Sequence, residues 1–156
     1  MGADLNQVGI LVRREIEARV VTPFIRALIQ EVGKERALRT TEEIIRSLAK
    51  ESGAQLAKSM GGNSLAHFVE SLKYWTKDDA LELEVLEQTD STFSFNVRRC
   101  RYAEMYRDLG IQDLGKSLSC GRDFALVDGF NPRMKLVRTQ TIMEGAAFCD
   151  FRYGME

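Results

Sequence analysis

Each of the chain's three cysteines stands beside arginine or acid: Arg99-Cys100-Arg101, Cys120-Gly121-Arg122-Asp123 and Cys149-Asp150-Phe151-Arg152. A thiol next to a guanidinium, or at the start of a helix, gives up its proton more readily and becomes a nucleophile. By that rule Cys120, followed by Arg122 and Asp123, is a candidate catalytic thiol, and Cys149 is a second. Cys100, at a strand-to-helix junction, fits packing better, because a cysteine is more often a small buried hydrophobe than a nucleophile. Carboxylates able to move protons stand in the same stretch at Glu104, Asp123 and Asp150. Arg99 and Arg138 supply guanidiniums that can grip a carboxylate at two points. So dense a mixture between Phe93 and Tyr153 points to a reaction or binding site mounted on a small sheet.

Other chemistries are poorly served. The single histidine, His67, has only Ser64, Ser71 and Glu70 within a helical turn, and reads as surface or core filler. A Ser-His-Asp or Cys-His arrangement would have to recruit it from far away in sequence, and a multi-histidine metal site is excluded. No two cysteines form a CxxC pair, which removes a zinc ribbon and a thioredoxin motif. Three thiolates on one metal remain an alternative, since thiolates suit zinc or iron–sulfur clusters. No cofactor is expected.

At 156 residues the chain is expected to be one domain, with residues 1–78 a helical half and residues 79–156 a sheet-bearing half that holds the site. Twenty-two basic against twenty-three acidic residues give no footprint for nucleic acid. No apolar run approaches the ~20 residues of a membrane span. The opening MGADLNQVGILVRREIEARV is charged and amphipathic, unlike a signal peptide, and Asn6 in place of Ser or Thr argues against myristoylation. Reduced thiols without an export signal fit the cytoplasm. The expected partner is a small molecule; self-association into a homo-oligomer stays open.

The elements that must position these groups follow from periodicity. Leu5, Val8, Leu11, Ile16 and Val20 approximate one helix face, and Thr22-Pro23 predicts a cap and a fresh start for a second helix ending at Gly33. Thr40-x-x-Glu43 has capping-box spacing for a third, stopped by Gly61-Gly62, and Asn63 or Ser64 caps a fourth. Leu81 to Val85 and Phe93 to Val97 alternate as two strands joined at Gln88–Ser91. Tyr102 and Tyr106 mark a helix ended by Gly110, with Asp113 capping the next. The last two strands, Met134 to Ile142 and Ala147 to Tyr153, are predicted to meet at a two-residue turn, Glu144-Gly145. That register sets Arg138 against Phe151 and Gln140 against Cys149, so Arg138, Gln140 and Cys149 share one face. Arg99 keeps the parity of Phe93, Phe95 and Val97 and is expected in the same cavity. Asp150 points the other way, toward Thr139 or Arg152. The fold class is α+β: a helical N-terminal half packed on a mainly antiparallel four-stranded sheet, with short helices inserted between strands 2 and 3.

The run FNVRRCRYAEMYRDLG, then DLGKSLSCGRD, then GFNPRMKLVRTQTIMEGAAFCDFRY closely resembles the L-2-amino-thiazoline-4-carboxylic acid hydrolase family, over about residues 83–153. The helical first half agrees in layout, including Asn63-x-Leu65 and Trp75. Arg98, before the Arg-Cys pair, and Gly121, after the second cysteine, depart from the family's pattern. The resemblance implies opening of a 2-amino-thiazoline ring by water to N-carbamoyl-cysteine, a step of cysteine metabolism. Such a substrate needs attack at its amidine carbon, a carboxylate for its nitrogens, a proton for the departing sulfur and a guanidinium for its own carboxylate. Cys120, Cys149, Asp123 and Glu104 are the expected catalytic groups; Arg99, Arg138, Gln140, Cys100 and Asp150 are expected to bind substrate. In the preferred mechanism a thiolate attacks; in the variant, a carboxylate activates water and the thiols line the site. The rival is a non-catalytic module that binds a small carboxylate or a metal in the same pocket.

Overall fold

The computed structural model describes Gly2 and residues 4–156; Met1 and Ala3, within the opening amphipathic stretch, lie outside the described residues. Two long helices come first: α1 (Ile10–Val32) and α2 (Lys34–Ser59). Leu5–Gln7 form only a 3₁₀ turn before them. The predicted break at Thr22-Pro23 does not occur. Pro23 sits inside α1 on its exposed side, one turn after the exposed Arg19, whose carbonyl it deprives of the usual amide donor. The Thr22 hydroxyl caps nothing and is buried without a partner.

The inward face of α1 also differs from the predicted one. Ile10, Ala18 and Ile25 are buried, while Ile16 and Val20 keep 57% and 60% of their surface. Arg14 shares the buried face at i+4 from Ile10 and i−4 from Ala18. An arginine and an alanine occupy it, so apolarity alone selects the wrong side.

Gly33, at φ +84°, ends α1 as expected, and α2 begins at once. The Thr40 capping box is therefore unused. Its neighbour Thr41 instead returns its hydroxyl to the Ala37 carbonyl four residues back, at 2.8 Å. Gly61, at φ +74°, follows the end of α2, and Ser64 caps α3 (Leu65–Ser71) by accepting the His67 amide. His67 stays local, its Nδ1 2.6 Å from Ser64 Oγ and its ring over Gly62. The short α4 (Lys73–Thr76) leads into the sheet.

The sheet has four antiparallel strands in the order β1 (Leu81–Gln88), β2 (Thr92–Cys100), β4 (Cys149–Met155), β3 (Met134–Val137). Between β2 and β3 lie α5 (Arg101–Asp108), α6 (Gln112–Gly115), a π turn (Lys116–Cys120) and α7 (Arg122–Phe130). The α+β class and the inserted helices match the sequence reading. Asp113 does not cap α6, which starts after Ile111; its carboxylate pairs with Arg26 of α1 instead. Helix α7 runs to Phe130, and the chain leaves it at Asn131.

Every pair between β3 and β4, from Met134↔Met155 to Val137↔Arg152, has the register that the Glu144-Gly145 turn required. Pairing then stops. Residues 138–148 form a loop with a 3₁₀ turn at Ile142–Glu144, closed by Gly145 at φ +97°. The Asp150 carboxylate takes the Thr139 and Gln140 amides, each at 2.9 Å, and so satisfies donors that a longer strand would have paired.

Two apolar clusters hold the fold together. Ile10, Ala18, Tyr102, Tyr106 and Leu114 belong to one; Phe68, Phe93, Phe95, Phe130 and Tyr153 belong to the other, on the sheet face. Helices α2 and α7 touch backbone to backbone in the second. A methyl on Gly53 would lie 2.1 Å from the Leu126 carbonyl oxygen, and one on Gly129 1.9 Å from that of Lys50. Trp75, Leu81, Cys100 and Ile142 flank both clusters. At that junction the packing opens into a cavity.

Candidate functional site

The cavity measures about 90 Å³ and is bounded by α1, α3, α4, β1, β2, α5, the π turn, α7, the β3–β4 loop and β4. It is large enough for several waters or a small ring compound, since ~30 Å³ is one water's share of the liquid. Its walls are mostly apolar, with Trp75, Phe95 and Phe151 among them. The residues with polar side chains in its lining are Cys100, Cys120, Cys149, Asp123, Arg138, Arg14 and Arg122, with Tyr102, Tyr153, Ser119 and Thr141.

All three cysteines thus meet at one cavity from three elements 20 or more residues apart. Cys100 ends β2 and its sulfur accepts the Ala103 amide of α5 at 3.4 Å. Cys149 opens β4 and its sulfur accepts the Ile142 amide at 3.2 Å. Cys120 closes the π turn, where the Gly121 amide reaches back five residues to the Lys116 carbonyl. That widened turn rotates the following residues relative to an uninterrupted α-helix. It leads directly into the first turn of α7, which carries Arg122 and Asp123.

The electrostatics reverse what the sequence suggested for the thiols. Burial raises all three: Cys100 is pushed up to about 11, and Cys149 and Cys120 also lie above the ordinary thiol range, Cys120 furthest. For Cys120 the Asp123 carboxylate adds to the effect, and Arg138 only partly offsets it. The neighbouring Arg122 gives no help because it turns away, donating to the Leu118 carbonyl at 2.7 Å and to Glu17 at 2.8 Å. The thiols are therefore protonated near neutral pH.

Asp123 and Arg138 form the polar centre. The Arg138 guanidinium donates to the Asp123 carboxylate and, at 3.0 Å, to the Cys120 carbonyl. It lies between the rings of Phe124 and Phe151, 5.0 and 5.2 Å from their centroids, with 7% of its side chain exposed. Burial works against its charge, yet Asp123 holds it above the ordinary arginine value. Asp123 retains 27% of its side-chain surface, on the cavity it lines. Burial moves its carboxyl up, and Arg138 opposes that shift without cancelling it.

Four other residues singled out in the sequence stand apart from the cavity. Arg99 and Glu104 are exposed and bond to each other at 2.8 and 3.0 Å. A β-bulge explains Arg99: Glu82 pairs with Arg99 but Leu83 pairs with Val97, leaving Arg98 as an extra residue on β2. The insertion resets the alternation, so Arg99 faces out and Cys100 faces in. Arg101 bonds the Asp78 carbonyl. Gln140 donates to the Phe148 carbonyl within the loop, and Asp150 serves Thr139, as its parity indicated. Arg14, Tyr102, Tyr153 and Thr141 were not singled out as site residues. The i, i+4 spacing of Arg14 between Ile10 and Ala18 was the available signal for the first of them.

Among the described residues no three His, Cys, Asp or Glu side chains gather in a way that could hold a metal ion. No described helix is long and apolar enough to cross a membrane.

Comparison with known proteins agrees with the long composite match seen in the sequence. The model of the L-2-amino-thiazoline-4-carboxylic acid hydrolase family matches residues 13–153. No curated protein matches. Among solved structures, the chain is similar to a trafficking protein particle complex subunit 3 from Naegleria fowleri covalently bound to palmitic acid. The two share 9% identity, cover 93% of this chain and 96% of that one, and superpose with a TM-score of 0.54. It is also similar to the phenol-responsive sensory domain of the transcription activator PoxR with phenol, at 13% identity, 87% and 73% coverage and a TM-score of 0.53. At such identities the likeness concerns the fold.

Proposed function

The chain belongs to the L-2-amino-thiazoline-4-carboxylic acid hydrolase family, and from that membership we propose that it opens a small cyclic amidine, such as 2-amino-thiazoline-4-carboxylate, with water. The observation that carries this reading is the Asp123–Arg138 pair in a cavity lined by three protonated thiols. A largely apolar hollow with one carboxylate in its lining suits a small heterocycle that must be oriented before it reacts.

The reaction adds one water across the ring's carbon–sulfur bond. Oxygen bonds to the amidine carbon, the carbon–sulfur bond breaks, and the sulfur leaves as a thiol on a ureido acid. Asp123 takes one proton of the attacking water and returns it to the departing sulfur, and the water's other proton passes to the ring nitrogen, which becomes the N–H of the ureido group. A carboxyl raised by burial is a stronger base than an exposed one, which favours this role. Arg138 fixes the carboxylate's orientation. Because burial keeps the thiols neutral, direct attack by water is preferred here over attack by a thiolate of Cys120 or Cys149. The substrate is then a small carboxylate free in the cytoplasm, with no part for nucleic acid or membrane.

A second reading, a non-catalytic module that binds a small ligand, is favoured by the aromatic walls formed by Trp75, Phe95 and Phe151. The palmitic acid and phenol named with the two similar structures are apolar or aromatic, in keeping with it. Incubation with 2-amino-thiazoline-4-carboxylate, with release of new thiol followed by a colorimetric reagent, separates the two. Steady thiol release supports the hydrolase; saturable binding without any release supports the binding module.

A further inference from the structure

The sequence assigned the substrate carboxylate to Arg99 and Arg138, and neither is free for it: Arg99 is outside the cavity and Arg138 is engaged with Asp123. Two other arginines line the cavity. Arg14 comes from α1 and Arg122 from the first turn of α7, with 15% and 11% of their side chains exposed. Among the described residues, Glu17 is the carboxylate that both of them bond. Arg14 bonds its two oxygens at 2.9 and 3.0 Å, and Arg122 bonds one of them at 2.8 Å. Glu17 is 45% exposed, so its side chain is partly hydrated. The Arg122 pKa is lowered first by burial and then by the nearby charge of Arg14, while Glu17 opposes both.

The charge balance around the cavity follows. Arg138 is matched by Asp123, and the two arginines of α1 and α7 have one carboxylate between them. One positive charge is left over in a poorly solvated wall, which favours a ligand carrying one negative charge. The position matches too. Successive residues of a helix point about 100° apart, so the first turn of α7 sends Arg122 toward α1 and Asp123 toward the end of β3. A ring held between them has an anionic end at the arginines and a basic or cationic end at Asp123.

We propose that Arg14 and Arg122 form the carboxylate-recognition site of this cavity, and that Glu17 holds it open and tunes its affinity. The proposal takes its ligand class, a small ring bearing one carboxylate, from the hydrolase reading, but its test does not depend on turnover. L-Thiazolidine-4-carboxylate and thiazolidine lack the amidine and differ only in the carboxylate. Calorimetric titration of the full chain should show the carboxylate-bearing ring binding about tenfold or more tightly than its partner. Arg14→Met and Arg122→Met should each bring the two affinities to within about twofold, with folding checked by thermal melting. Glu17→Gln, a change at a half-exposed surface position, should tighten the carboxylate ring about threefold or more and leave thiazolidine unmoved. Equal or absent binding of the two rings by the unmodified protein overturns the proposal. So does a preference that survives both arginine substitutions, or a Glu17→Gln variant that binds the carboxylate no more tightly. Turnover without carboxylate preference sinks this site and leaves the hydrolase standing. Carboxylate preference without turnover does the reverse.

Discussion

Arg138, one residue past the end of β3, closes its guanidinium on the carboxylate of Asp123 in the first turn of α7, fifteen residues away in sequence. The contact ties the sheet's edge to the helix that carries the candidate base. It also determines what each residue can do: Arg138 is held by an internal partner, and Asp123 is buried but not alone.

Removing one partner should therefore be worse than removing both. Arg138→Met leaves a carboxyl in the cavity wall without its cation and should lower unfolding free energy by about 3 kcal/mol. Adding Asp123→Asn to that variant should recover part of the loss. Urea unfolding of the two single variants and the double variant checks this through the coupling term.

The raised Asp123 carboxyl has a definite pH signature. Its folded pKa lies above its unfolded one, so its protonation favours the folded state. That contribution is complete below about pH 4, the ordinary aspartate range, and is lost as pH rises through the folded value. Relative to Asp123→Asn, the unmodified protein should lose stability as pH climbs from 4 toward neutrality, by thermal melting in a pH series. Hydrolysis should rise over the same interval, since the base must be ionised to act.

The three thiols should be slow to alkylate in the folded chain. With Cys100 at about 11, its thiolate near neutral pH is on the order of a hundredfold scarcer than that of an ordinary cysteine. Iodoacetamide at pH 7.5, read by mass spectrometry, should leave the native protein largely unmodified and label all three positions in urea. Rapid native labelling at Cys120 or Cys149 would revive the thiolate mechanism. Serine at each of the three positions, tested separately, should leave measurable turnover if water attacks directly.

Gly53→Ala and Gly129→Ala each place a methyl about 2 Å from a carbonyl oxygen of the facing helix, and backbone cannot rotate aside as a side chain can. Each should cost about 3 kcal/mol or prevent folding, because overpacking at a backbone contact forces the helices apart. Gly154→Ala, with no heavy atom within 4 Å of the added carbon, is the control and should melt like the parent.

Arg99→Gln and Glu104→Gln address the bulge at Arg98. If the bulge turns Arg99 away from the cavity, both variants should retain kcat/KM within about threefold of the parent, as expected of exposed ion pairs. A loss of a hundredfold would return these residues to the site.

The sequence by itself determined the class of fold and several of the points where helices stop and start, at Gly33, Gly61 and Ser64. These follow from local rules: glycine at positive φ after a helix, alternation in a strand, and a serine hydroxyl on the His67 amide. Even the register of the last two strands was legible, because it depends only on parity. Tertiary structure decided what local rules leave open. One extra residue at Arg98 exchanged Arg99 for Cys100 at the cavity, and the close approach of α2 and α7 let glycine and alanine define an interior face. Arg14 lies inward because Glu17, on its own helix, accepts its guanidinium there and offsets the charge of Arg122 on α7 as well. The charge state of the thiols was beyond any sequence rule, since it depends on how much water the completed walls exclude. Spacing along the chain says which groups are present; desolvation, which exists only once the walls close, says which of them can carry charge.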